Sequence, residues 1–322
     1  MSEVTQPACI LLFGPTASGK TELAMRIADE FPVNLISVDS VLVYRDMNIG
    51  SAKPSPDELA QYPHGLIDIR NPNESFSVAD FVHLARQEMQ SSHEAGRIPL
   101  LVGGTMMYFR ALLEGLADMP PSRPEVRQAI ESEAEQQGWP AMHRQLQEVD
   151  PDTARQLHPE HSQRICRALE VWRISGQPMS QLVRQPGPLS RPLGKDWRVL
   201  QMGLSFAQRS QLHERIDQRF QLMLERGLIE EVQALLQKYE LTEQHASMRA
   251  VGYRQVRDYL EQGFSRQELL ERGQAASRQL AKRQLTWMRG WDDWQTFPVA
   301  PDACNNSNFT TTALHWLQRA LS

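Results

Sequence analysis

The chain has 322 residues, 41% of them hydrophobic and 23% charged, a composition that suits a soluble globular protein of one large or two ordinary domains. No apolar run approaches the ~20 residues of a membrane span, and the opening MSEVTQPA has neither a basic flank nor an apolar h-region, so no secretory signal is expected. The net charge of −5 argues against a uniformly basic nucleic-acid binder. The scattered Cys9, Cys166 and Cys304 form neither a metal spacing nor a disulfide framework, and a reducing cytoplasm is the expected setting.

Residues 9–14 read as a buried strand that runs into GPTASGKT at Gly14–Thr21, a match to G-x-x-x-x-G-K-[ST]. Gly14 and Gly19 permit tight turns and close backbone approach. The amides from Ala17 to Thr21 make an anion nest at a helix N-terminus, Lys20 reaches terminal phosphates, and Ser18 or Thr21 offers an oxygen to Mg²⁺. A helix follows over Lys20–Phe31, with Leu23, Ile27 and Phe31 on one face.

NLISVD (34–39) is a second apolar strand, ending in Asp39. An acid there binds magnesium, activates a nucleophile or caps a turn, and its position does not choose among these. The loop beyond it, with Gly50, Lys53 and Pro54, is too polar for core and suited to embrace a ligand. IPLLVGG (98–104) is a third strand, followed by Thr105 as a helix cap and the helical MMYFRALLEGL. Strands alternating with helices argue for a doubly wound parallel sheet of the α/β class. Ligands gather at the carboxyl ends of such strands, where Gly14, Asp39 and Gly103 fall.

After Leu116 the proline-rich ADMPPSRPEV reads as a junction, and residues 124–183 as helices. RQPGPLSRPLGKDW is a second junction, and a strand returns over 197–206. Residues 207–239 and 254–289 are strongly helical. The expected organisation is a P-loop NTPase-like core of residues 1–119 and 196–299. An all-helical insertion occupies 120–195, and a tail, a polar linker with a short amphipathic helix, occupies 300–322.

The phosphate loop does not name the reaction. The guanine-reading N-K-x-D of GTPases is absent, while the insertion could serve as the lid of a small-molecule kinase. In HSQRICRALEV (161–171), Gln163, Arg164 and Arg167 lie on nearby turns, with Ile165 and Leu169 as core; a solvated face explains them as well as a ligand does. RAVGYRQV (249–256) and KRQLTWMRGW (282–291) interleave arginines with Tyr253, Trp287 and Trp291, as base stacking and phosphate contact require. Tryptophan at helical spacing is equally ordinary core. From Arg249 to Arg289 there are nine basic and four acidic residues, so this part is locally basic inside an acidic chain. A nucleotide-switched RNA-binding module therefore stands beside the kinase.

Taken in order, the motifs point further. They are GPTASGKT, D-S-x-x-x-Y at Asp39–Tyr44, G-[ST]-A-K-P at Gly50–Pro54, HGLIDI followed by SVADF, and VGGT-x-x-Y at Val102–Tyr108. After these come Q-R-I-x-R-A-L-E at Gln163–Glu170, R-A-V-G-Y-R-Q and K-R-Q-x-T-W. The set resembles the bacterial tRNA dimethylallyltransferase (isopentenyltransferase) family over about residues 9–295. The resemblance implies transfer of a dimethylallyl group from dimethylallyl diphosphate to the exocyclic amine of an adenosine. That adenosine lies immediately 3′ of the anticodon in tRNAs reading codons that begin with U. It also implies Mg²⁺ as cofactor, the tRNA anticodon stem-loop and dimethylallyl diphosphate as partners, no membrane, and a cytoplasmic monomer.

The resemblance also assigns roles. Gly14, Pro15, Thr16, Ala17, Ser18, Gly19, Lys20 and Thr21, with Arg219, are implied to bind the diphosphate, and Thr21, with Ser18, the metal. Lys20 and Thr21 are implied to be catalytic with Asp39, the general base. Contacts to tRNA are implied for Asp39, Ser40, Val41 and Leu42, for Thr105 near the reacting adenosine, and for Arg127. They are implied also for Gln163, Arg164, Ile165, Cys166 and Arg167, and for Arg249, Ala250, Val251, Gly252, Tyr253 and Arg254. The last group is Lys282, Arg283, Gln284, Leu285, Thr286, Trp287, Met288 and Arg289. Two positions depart from the family: Leu42 stands where many members have Gln, which removes a polar contact, and Gly65 where a second His is common.

Overall fold

The computed structural model describes residues 6–299 and 307–322. The chain divides into two units, Met1–Leu113 with Leu193–Ser322, and Glu114–Pro192. The first is built on β1 (Ala8–Phe13), α1 (Lys20–Glu30), β2 (Val33–Val38), α2 (Pro56–Gln61), β3 (His64–Gly65), α3 (Val78–Glu94), β4 (Ile98–Gly103) and α4 (Met106–Glu114). All six strands pair in parallel, in the order β3-β2-β4-β1-β5-β6. The doubly wound parallel sheet is thus present. The centre of the sheet is continuously apolar because both faces are covered: Cys9, Ile10, Leu11, Leu12 and Phe13 are all fully buried.

The register decides where chemistry can happen. Phe13 pairs with Gly103, and Gly103 with Val38. The residues that follow these three, Gly14, Asp39 and Gly104, therefore leave the sheet at one level. Gly103 is a steric necessity, since a Cβ there would lie 2.0 Å from the Val38 carbonyl oxygen.

The second unit contains α5 (Pro124–Gln137), α6 (Trp139–Val149), α7 (Pro151–Gln156), α8 (Ser162–Ser175) and α9 (Met179–Leu182), and its described residues hold no strand. It begins at Glu114, ahead of the proline-rich stretch. Ile130, Met142, Leu146, Ile165, Cys166 and Leu169 form its core. A buried carboxylate, Glu170, accepts from Ser122 Oγ (2.5 Å), Arg123 N (2.9 Å) and Arg167 Nη1 (2.7 Å), which fastens α8 to the start of α5.

The chain returns through β5 (Arg198–Phe206), α10 (Arg209–Glu225), α11 (Leu228–Tyr239), α12 (Tyr253–Gln262), α13 (Arg266–Arg289), β6 (Gln295–Val299) and α14 (Ser307–Leu321). The two long helical runs expected here are each broken. Gly227 and Gly263 adopt φ of 98° and 69°, conformations that end a helix. Phe220, Leu224, Leu228, Val232, Met248, Tyr253 and Leu269 from this region pack on Val43, Tyr44 and Met47 as a second core. The last helix is not a detached tail. Ala313 and Leu317 are fully buried in the cluster that contains Leu12, Leu204 and Phe297, and a buried leucine contributes about 1.5–3 kcal/mol. The polar linker expected from residue 300 and the opening MSEVT, like Cys304, lie outside the described residues. Cys9 and Cys166 are free and buried. Among the described residues no helix is long and apolar enough to cross a membrane.

Candidate active site

The phosphate loop joins β1 to α1, and Ala17 (φ 62°) and Gly19 (φ 85°) are both left-handed. Alternation of this kind turns successive N–H groups to one side as an anion nest. The first helical bond runs from Leu23 N to the Gly19 carbonyl, so the amides of Lys20, Thr21 and Glu22 are orphan donors at a positive helix end. Lys20 Nζ donates to the Pro15 carbonyl (2.7 Å) and to Ser18 Oγ (3.4 Å).

Three opposed charges meet here. Burial lowers the Lys20 pKa to about 7, and Arg219 pushes it the same way while Asp39 opposes. Arg219 is itself lowered by burial and by Arg215, against Asp39. Asp39 is raised, because loss of water outweighs the Val41 and Leu42 amides and the two cations. Its Oδ1 accepts from Val41 N (2.8 Å) and Leu42 N (3.3 Å). The turn-capping reading of this carboxylate is thus the one its hydrogen bonds show.

A cavity of about 860 Å³ opens onto these groups. Its polar wall includes the phosphate loop from Thr16 to Thr21, Ser37, Asp39, Arg215, Arg219 and Gln284. Its apolar wall includes Met25, Leu42, Ile49, Ile67, Phe220, Leu222, Met223 and Leu280. Such a volume suits a small ligand with one highly charged end and one apolar end. The loop at 48–51, which also lines it, is held by Glu231. That carboxylate accepts from Asn48 N (3.0 Å), Ile49 N (2.7 Å), Gly50 N (3.1 Å) and Tyr253 Oη (2.7 Å), and Tyr253 Oη in turn accepts from Ser51 N (3.2 Å).

The model of the IPP transferase family matches residues 42–291. The chain belongs to the IPP transferase family. It is 52% identical over 296 residues to tRNA dimethylallyltransferase 2 of Hahella chejuensis, covering 89% of each chain. It is similar to the crystal structure of the tRNA isopentenylpyrophosphate transferase of Bacillus halodurans (TM-score 0.67, 32% identity, 97% of this chain and 96% of that one). A eukaryotic dimethylallyltransferase solved acting on tRNA shares the fold (TM-score 0.78, 23% identity, 96% and 78%).

Of the residues expected from the family, Thr16–Thr21, Asp39, Val41, Leu42, Arg219, Val251, Gly252 and Gln284 line the one cavity. Thr105 stands beside it, with its Oγ1 accepting from Ser40 N (3.1 Å). In the helical unit, Arg127 Nη2 donates to Gln163 Oε1 (2.8 Å), which joins two of the expected segments. Gln163, Arg164, Arg249, Arg254, Lys282, Arg283, Thr286 and Arg289 are exposed.

Several expected tRNA contacts need correction. Ile165, Cys166, Tyr253 and Met288 are buried at 0–2% exposure, so these side chains pack the interior and present nothing to an RNA surface. Arg167 is tied to Glu170 and to the Pro120 carbonyl (2.7 Å). Trp291, read as a possible stacking platform, packs edge-on against Phe13 at 5.0 Å. Trp287 lies under Arg110 at 5.6 Å.

Three site residues were not read from the sequence. Arg215 precedes Arg219 by one helical turn, a spacing visible in HERIDQR, and Nη2 of Arg215 would lie 3.9 Å from a Cβ at Gly19. Ser37 lies on β2, two residues before Asp39, and lines the same cavity; its hydroxyl is buried without a hydrogen-bond partner among the described residues. Glu231 carries no motif signal, because its three amide partners are over 180 residues away.

Proposed function

We propose that this protein transfers a dimethylallyl group from dimethylallyl diphosphate to the exocyclic amine of the adenosine 3′ of the anticodon, in tRNAs reading codons that begin with U. The observation that carries the reading is the shared cavity. It sets the phosphate loop, Arg215 and Arg219 against the carboxylate of Asp39, beside an apolar wall. Asp39 lines the same cavity as the phosphate loop and the apolar wall, which supports a base acting next to an allylic donor.

The purine amine is a weak nucleophile, because its lone pair is delocalised into the ring. Reactivity must come from the donor, whose carbon–oxygen bond breaks toward an allyl cation and diphosphate. The loop amides, Lys20, Arg219 and Arg215 stabilise the charge that develops on the departing diphosphate. Asp39 accepts the amine proton as the new carbon–nitrogen bond forms. Its raised pKa brings it nearer the working pH, which strengthens it as a base. The apolar wall keeps water from the cation. Extrusion of the adenosine from its stack brings the amine to this depth, at lower cost in a loop than in a duplex.

Mg²⁺ is part of the proposal. Among the described residues no cluster of three His, Cys, Asp or Glu side chains could hold a metal. Magnesium commonly takes one or two protein oxygens and completes its shell with phosphate and water. The hydroxyls of Thr21 and Ser18, both on the cavity wall, fit that demand. Thr21, with Ser18, would hold the ion, which when bound neutralises leaving-group charge. Action as a cytoplasmic monomer completes the reading.

The test uses undermodified tRNA, labelled dimethylallyl diphosphate and Mg²⁺. Label in RNA, mapped to the adenosine 3′ of the anticodon, is expected. Unlabelled RNA, with γ-phosphate transfer from ATP to a small acceptor instead, would replace this reading with the kinase.

A further inference from the structure

Gln284 was expected to meet RNA, as part of K-R-Q-x-T-W, yet its side chain is buried at 8% exposure on the inner face of α13. Its two amide ends are both spent on backbone. Oε1 accepts from Thr16 N at 2.8 Å, inside the phosphate loop. Nε2 donates to the Gly104 carbonyl at 2.8 Å, in the turn after β4. The next residue, Thr105, continues the chain: its N donates to the Val38 carbonyl (3.2 Å) and its Oγ1 accepts from Ser40 N (3.1 Å), on either side of Asp39. A Cβ on Gly104 would sit 2.5 Å from Nε2, so glycine is the residue that leaves room for the bridge.

We infer that Gln284 is a positioning residue that sets the spacing between the diphosphate loop and the acid at Asp39, and thereby decides whether the allyl cation meets the amine or water. This rests on the prenyl-transfer reading above. The chemistry of the bridge is selective. It needs an acceptor toward Thr16 and a donor toward Gly104, which the oxygen and nitrogen of one carboxamide supply side by side. Asn is one methylene too short to span the same gap, and Glu offers no proton to the Gly104 carbonyl. The phosphate loop and the β4 turn leave neighbouring strands whose last pair is Phe13 with Gly103, and the Gln284 bridge ties them beyond that pair, where the sheet no longer does. A misplacement of about 1 Å between reacting groups costs about 10²-fold in rate.

The consequence is a change of product as well as a loss of speed. When the amine is out of line, water attacks the allylic carbon. The carbon–oxygen bond to diphosphate breaks, dimethylallyl alcohol forms, and the water's proton passes to buffer. No further reactant is required.

The experiment measures both products from one incubation of the full-length protein with labelled dimethylallyl diphosphate, Mg²⁺ and an undermodified anticodon stem-loop. The variants are Gln284→Leu, Gly104→Ala and the double substitution. Binding of inorganic diphosphate with Mg²⁺ is followed by calorimetry. Expected are diphosphate affinity within a few-fold of the wild type, kcat for transfer reduced about 10²-fold, and an alcohol-to-RNA product ratio at least about tenfold higher. Both single variants should shift the ratio alike, and the double variant no further, because they break one bridge. A ratio equal to that of the wild type would overturn the inference, as would a parallel loss of both products or shifts that multiply in the double variant. Should Gln284→Leu not fold, Gly104→Ala displaces the amide without removing it and decides alone. A wild-type protein that prenylates no RNA would refute the underlying reading instead, so the two failures are distinguishable.

Discussion

Lys20 should take up a proton when the diphosphate binds. Its side chain has a pKa of about 7 in the free protein, through loss of water and the nearby Arg219. Lys20 is then more neutral at pH 8 than at pH 6. A bound diphosphate places negative charge against the ammonium, favours the charged form and returns the pKa toward the ordinary lysine range. Binding should therefore absorb up to about one proton through this residue, more at pH 8 than at pH 6, and affinity should weaken by up to about tenfold per pH unit as pH rises past the unbound pKa. The sign follows from a group depressed when free and raised when bound: affinity is greatest below the free pKa and falls as pH rises through it. Calorimetry in buffers of different ionisation enthalpy reads proton uptake directly. The Lys20→Met variant removes this contribution and leaves the ligand's own titration. Identical uptake by wild type and variant at pH 8 would refute the lowered Lys20 pKa.

Asp39→Asn keeps an oxygen for the Val41 and Leu42 amides but cannot take a proton; kcat should fall about 10²–10⁴-fold with little loss of diphosphate affinity, and unaltered turnover would exclude the base role. Arg215→Gln should weaken binding of Mg²⁺-diphosphate about tenfold, as expected for a lost charge-assisted contact of about 1.4 kcal/mol, with tRNA affinity unchanged in filter binding. Tyr253→Phe removes the donor to Glu231 and the acceptor for Ser51 N, at a cost of about 1.5–3 kcal/mol. It should lower the urea midpoint with an unchanged m-value; a loss below about 0.5 kcal/mol would mean that the loop at 48–51 is held by other contacts.

The strands and phosphate loop were legible because their signals are local. A run of apolar residues closing on Gly14, with Gly19 where a left-handed turn is needed, encodes its own geometry. The strand β6 was missed because QTFPV is short and contains Pro298, which only an edge position tolerates. The helix α3 was passed over although Ser77 and Asp80 form a capping box at its start. The candidate site was half legible. Acid, lysine and arginine could be placed by motif, but a basic-aromatic stretch reads the same whether it faces RNA or the core. Tyr253 and Gln284 differ from Arg254 and Arg283 only in helical phase against a partner surface, and that surface comes from residues 180 to 268 positions away. The same limit hid Glu231.

The helical unit leaves and rejoins the chain at a narrow neck. Leu116 N donates to the Leu189 carbonyl at 2.7 Å, and the space beside Gly115 is filled by Ser190. Its two ends are thus stitched together by its own backbone, and the strand order is one that a two-point attachment of any length would leave intact. Pairing of β1 with β5, Ala8 to Arg198, spans most of the chain when counted along the sequence. Once the neck has closed, the path is far shorter, and the entropy of closing that loop falls accordingly. The insertion behaves as a cassette: its interior can lengthen, shorten or be exchanged without re-threading the sheet that carries the chemistry.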